Sequence, residues 1–183
     1  MKKERLDSSV SPVTSGASQS AGDALEYSIY NLLKKYQCTL STAESATGGL
    51  IAATLVNVPG ISEFFEQGYV TYSNRAKVQM IHADGEIIDT YGVVSKETAA
   101  EMAKQAAKTA GTNAALSTTG VAGPDGGTKD CPVGTVYIGC FLDGKTVTEH
   151  HVFEGARNDV RKAAVTAALE LLGRCLEERG YQQ

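Results

Sequence analysis

Short extended runs alternate with helical patterns along this chain, and that alternation restricts it to an α/β fold. Thr39–Ala43, Tyr69–Tyr72 and Ala114–Thr118 read as strands. Leu25, Ile29, Leu32, Leu33 and Tyr36 recur at helical spacing and predict a first helix from Asp23, its N-cap, to Tyr36. Leu50–Val56 continues as a helix that should end before Pro59-Gly60. Asn74–Ile81 reads as a short helix. Ser95 caps a longer one that stops at Gly111, with a stripe of small residues at Ala99, Met102, Ala103, Ala106, Ala107 and Ala110. Gly134–Leu142 and Thr146–Phe153 read as strands, and Asp143-Gly144 between them is a hairpin signal. A last helix runs from about Asn158 to Glu178. The expected architecture is three layers, α/β/α, around a mixed sheet containing an antiparallel hairpin.

The chain has 183 residues, enough for one domain with a full core. Ser8, Ser9, Ser11, Ser15, Ser18 and Ser20 supply little to bury, so residues 1–21 are expected to be a disordered tail ahead of a domain spanning 22–183. The net charge is −4 and no Lys/Arg cluster occurs, which argues against nucleic acid as a partner. Cys38, Cys131, Cys140 and Cys175 show no metal-ligand spacing with one another or with His82, His150 and His151. They read as free thiols in a reducing cytoplasm. Met1–Arg5 is basic but no apolar stretch follows, and no apolar run reaches membrane-spanning length.

Three polar constellations carry the candidate chemistry. In Thr42–Gly49, Ser45 stands between a strand and a helix opened by Gly48 and Gly49. A helix start offers unpaired N–H groups to a phosphate or an oxyanion, and a serine there can be a nucleophile. Equally, Ser45 or Thr47 can be a plain N-cap, with the glycines shaping a turn. In Tyr69–Lys77, a strand delivers Tyr72, Ser73 and Asn74 to its end, and a helix begun there carries Lys77 one turn on. Lys77 is either a solvated surface lysine or a general base. The second role requires its pKa to fall from about 10.4 towards 7–8, about 4 kcal/mol of bias against the charged form, and hence a dry site. In Ser117–Gly127, a strand runs into a glycine-rich loop that is either a long turn or the lining of a ligand cleft. Arg157 and Arg161, one turn apart at the start of the last helix, suit a phosphate, a carboxylate or a surface ion pair.

Six segments in order give these constellations a common meaning. They are AES-x-TGG at Ala43–Gly49, VPG at Val58–Gly60, YVTYSN-x-AK at Tyr69–Lys77, YG-x-VS at Tyr91–Ser95, TG-x-AGPDGG at Thr119–Gly127 and PVGTV at Pro132–Val136. From about Leu25 to Leu176 the chain resembles the C-terminal domain of the CinA (competence/damage-inducible) family, the nicotinamide mononucleotide deamidases. The resemblance implies hydrolysis of the carboxamide of nicotinamide mononucleotide to nicotinate mononucleotide and ammonia, with no metal or organic cofactor. It implies Ser45 as nucleophile, assisted by Lys77. Tyr72 and Asn74 are expected to orient the lysine or the amide, and Thr47, Gly48 and Gly49 to cradle the oxyanion or ligand. Ser73, Ser117, Thr119 and Gly120 are expected near the nucleotide and Arg157 at its phosphate. A homo-oligomer is also expected.

The chain departs from the family at three positions: Ala46 replaces a usual Cys, Ala156 a frequent Asp, and Cys131 a frequent Lys. The residues ahead of the first helix are too few for the molybdopterin-binding-like domain of longer relatives. The other readings are a pyridine-nucleotide-binding module or sensor without turnover, and an interaction protein whose small-residue stripe forms an oligomer interface.

Overall fold

The computed structural model describes residues 24–180. The tail expected over 1–21 and the N-cap expected at Asp23 lie outside the described residues. The elements, in order, are α1 (Leu25–Tyr36), β1 (Leu40–Glu44), α2 (Leu50–Leu55), β2 (Phe65–Val70), α3 (Asn74–Ile81), α4 (Gly85–Tyr91), α5 (Lys96–Ala110), β3 (Ala114–Gly120), β4 (Thr135–Leu142), β5 (Lys145–Val152) and α6 (Arg157–Gly180). Helix α1 begins at an N-cap position held by Ala24, which makes no side-chain cap.

The five strands form one mixed sheet in the order β2-β1-β3-β4-β5. Strands β2, β1 and β3 are parallel, whereas β4 and β5 are antiparallel additions. The hairpin turn has positive φ at both Asp143 and Gly144, the conformation that matches strand twist. Helices α1, α2 and α6 cover one face, and α3, α4 and α5 the other. The expected three layers are therefore present.

Alternation along β1 divides its side chains between the layers. Leu40 joins the core under α1 and α6, and Ala43 the core under α5. Every residue of β1 is buried, as a central parallel strand covered on both faces requires. The alanine stripe of α5 is buried against β1, β3 and β4. It serves the interior of this chain, so the expected oligomer interface on that stripe is not available.

Two elements differ from the sequence reading. Strand β2 starts at Phe65 and ends at Val70, four residues ahead of the expected start, so Tyr72 lies beyond it. Helix α4 falls in a stretch to which the sequence reading assigned no element; Asp84 caps it by accepting from Glu86 N–H at 2.9 Å. Among the described residues, no helix is long and apolar enough to cross a membrane.

Candidate active site

The carboxyl ends of β1, β2 and β3 lie side by side, where open α/β sheets place their ligand crevices. The chain leaves β1 over one face through α2 and leaves β2 over the other through α3, α4 and α5. Ser45 is the first residue after β1. Its N–H donates to Thr118 O at 2.9 Å, which fixes the residue against β3.

Helix α3 supplies the lysine. Ser73 is its N-cap and accepts from Ala76 N–H at 3.1 Å. Lys77 and Ile81, one turn apart, form its buried face. Lys77 is 0% exposed. Its Nζ donates to Ser45 Oγ at 3.1 Å and to Thr71 O at 3.0 Å. Burial lowers its pKa from 10.5 to about 8. A lysine with no water around it favours the neutral amine, which is the form a base needs. The surface-lysine reading is therefore excluded. The group that orients Lys77 is the Thr71 carbonyl, so of the two roles expected for Tyr72 and Asn74, orienting the lysine or the amide, the first falls to Thr71.

A cleft of about 230 Å³ opens over Ser45. Ser45, Ala46, Tyr72, Asn74, Thr119, Gly120 and Arg157 line it, together with Val93, Val94 and Ala122. Tyr72 is 60% exposed, and its hydroxyl accepts from Arg157 Nη2 at 2.7 Å. Arg157 Nη1 donates to Gly123 O at 2.6 Å, so the guanidinium ties the glycine loop to the end of β2. The Thr119 hydroxyl donates to Val93 O at 2.6 Å. Gly120 is required by packing, because a Cβ there would collide with the backbone of Thr135 and Val136.

Five expected ligand residues have structural work. Ser117 is fully buried and donates to Ala99 O at 2.6 Å, binding β3 to α5. Thr47 is equally buried, its hydroxyl held at 2.7 Å from both Glu44 Oε2 and Thr118 Oγ1. Gly48 and Gly49 have φ of 60° and 92° and shape the turn, with Gly49 as the N-cap of α2. Ser73 is spent as the cap of α3. The N–H groups of the first turn of α2 itself are taken by Glu44. That carboxylate is 1% exposed and accepts from Ile51 N–H and Ala52 N–H, each at 2.9 Å.

Glu44 is a positioning residue that sequence reasoning missed, and Arg161, read there as suited to a phosphate, a carboxylate or a surface ion pair, is a second one. Arg161 donates to Thr47 O at 2.7 Å through Nη2 and at 3.3 Å through Nε, clamping the turn that carries Ser45. The signal for Glu44 was an acidic residue at the end of a strand pattern that leads into a helix start.

Comparison with known proteins gives the family and the fold. Residues 22–176 match the CinA C-terminal domain family. A Clostridium botulinum protein named for competence-damage induction is 50% identical over 153 residues, covering 84% of this chain and 37% of the relative. A CinA-like protein of Kosmotoga olearia is 42% identical over 182 residues, covering 95% of this chain and 44% of the relative. The chain thus spans less than half the length of these curated relatives. A solved CinA superfamily structure from Klebsiella pneumoniae superposes with a TM-score of 0.81 at 32% identity, covering 84% of this chain and 96% of that one. One from Enterobacter cloacae gives 0.80 at 29% identity, covering 91% and 98%. This chain belongs to the CinA C-terminal domain family.

Proposed function

We propose that the domain hydrolyses the carboxamide of nicotinamide mononucleotide, giving nicotinate mononucleotide and ammonia. The observation that carries this reading is Lys77 Nζ, buried and 3.1 Å from Ser45 Oγ, with its pKa lowered to about 8. At neutral pH such a lysine is neutral in about one molecule in ten, against fewer than about one in a thousand for a solvated lysine.

Neutral Lys77 takes the Ser45 proton as Oγ attacks the carboxamide carbon. The tetrahedral intermediate collapses when the C–N bond breaks and the nitrogen leaves as ammonia, carrying the proton returned by Lys77. Lys77 then deprotonates a water, which cleaves the ester and restores Ser45. Arg157, at the mouth of the cleft, exchanges one of its two present partners for the phosphate of the nucleotide. The Tyr72 hydroxyl and the Asn74 side chain face the same space and supply polar contacts to the substrate. The same reading puts the enzyme in the cytoplasm, in keeping with four free thiols.

The test is ammonia release from nicotinamide mononucleotide by the wild type and by Ser45→Ala. The variant is expected to lose at least about three orders of magnitude in turnover. Undiminished release would sink the serine mechanism.

A further inference from the structure

A second cavity lies away from Ser45, at the far end of β4 and β5 beneath the last turns of α6. It holds about 360 Å³ and is lined by Cys140 and Cys175, by the apolar Leu142 and Val147, and by Asp143, Lys145, Glu178 and Arg179. Two cysteines separated by a strand and most of a helix in sequence therefore share one space. Each thiol shifts the titration of the other, Cys140 upward and Cys175 downward. Cys140 projects from β4 into the core that α6 covers, and Cys175 packs half-buried against that core. None of the mechanism above uses either residue.

We propose that Cys140 and Cys175 form a reversible redox pair, closed to a disulfide by a low-molecular-weight disulfide of the glutathione type. The surroundings suit that oxidant. The cavity gives it room and charges of both signs for its carboxylates and its ammonium: Lys145 and Arg179, whose Nε is paired with Asp143 at 2.8 Å, beside Asp143 and Glu178; Nη1 of Arg179 is buried with no hydrogen-bond partner. The order of attack follows from exposure and charge. Cys175 is the more accessible, and Cys140 holds its thiol below the usual value. Cys140 is 1% exposed and its thiol is raised by Cys175 and by burial, so it acts second.

The Cys175 thiolate attacks one sulfur of the oxidant, whose S–S bond breaks, and the displaced thiolate takes up a proton. Cys140 gives up its proton and attacks the Cys175 sulfur, expelling the second small thiol. Two protein thiols are oxidised to one disulfide while the oxidant is reduced to two thiols. The product joins β4 to α6, whose first two turns carry Arg157 and Arg161.

The test treats the reduced full chain with oxidised glutathione, alkylates the remaining thiols and maps non-reduced peptides by mass spectrometry. The expected result is a Cys140–Cys175 linked peptide, loss of two of the four free thiols, and recovery of both with dithiothreitol. Cys140→Ser, folded by circular dichroism, should trap glutathione on Cys175. If that variant is unfolded, Cys140→Ala takes its place. Full alkylation of Cys140 after treatment would overturn the proposal. So would linkage to Cys38, glutathione confined to Cys131, or failure of the Cys140 variant to trap glutathione.

Discussion

Ser45 and Lys77 are an ordinary hydroxyl and an ordinary amine that become reactive through placement. The critical quantity is the exposure of Lys77, which is 0% on a helix whose other buried residue is Ile81. A lysine at a core position is costly unless it is neutral or paired. The drop from 10.5 to about 8 corresponds to about 3 kcal/mol withheld from the charged form. Replacement by arginine separates base catalysis from simple charge. Arginine keeps the cation but cannot deprotonate in this range. Lys77→Arg and Lys77→Met should both lose at least about three orders of magnitude in kcat, measured by ammonia release. A Lys77→Arg enzyme within tenfold of wild type would show that a positive charge suffices. Arg157→Ala should act on binding, with KM for the mononucleotide raised by about tenfold to a hundredfold and kcat changed little. A variant with unchanged KM and reduced kcat would remove Arg157 from phosphate binding.

At the scale of elements, caps explain which parts of the chain could be read in advance. Helix α3 begins where Ser73 accepts from Ala76 N–H, and α5 where Ser95 accepts from Thr98 N–H. Gly111 ends α5 in the left-handed region. Each of these is a local chemical rule, so the residues themselves announced it. Helix α4 escaped because Gly85, Ile87, Ile88 and Thr90 are weak helix formers in a segment of seven residues. The start of β2 escaped because Glu66, Gln67 and Gly68 break the extended pattern of an edge strand. The cap of α2 is the instructive failure. Its acceptor is Glu44, seven and eight residues before the N–H groups it serves, so no N-cap rule reaches it. The two classes of cap differ in cost. Ser95→Ala should lose about 1 kcal/mol by urea unfolding. Glu44→Gln turns a buried carboxylate into an amide with donors of its own and should lose about 2–3 kcal/mol. Equal losses in the two variants would mean that the Glu44 contacts add nothing beyond an ordinary cap.

Across the whole molecule, the layer order was legible because alternation and the Asp143-Gly144 turn leave few alternatives. The site was legible only as separate segments. Ser45 meets Lys77 across 32 positions, Arg161 meets Thr47 across 114, and Arg157 meets Tyr72 across 85. Those contacts depend on strand order and helix packing, which no local pattern encodes. The same burial that activates Lys77 must also appear in global stability. The folded pKa lies below the unfolded one, so folded and unfolded states are equally protonated below about pH 8. Between about 8 and 10.5 the unfolded chain holds a proton that the folded chain has lost, and stability rises with pH. Relative to Lys77→Met, the wild type should gain close to about 3 kcal/mol across that window in urea unfolding. Parallel curves for the two proteins would mean that Lys77 is solvated in the native state.

The most direct measurement on the Ser45–Lys77 pair is kcat/KM for ammonia release from nicotinamide mononucleotide as a function of pH. With Lys77 as the base, the value should rise about tenfold per pH unit from pH 6 and level off above about 8. A profile that is flat from pH 6 to 9, or that is still climbing at pH 10, would contradict a buried neutral lysine acting on Ser45.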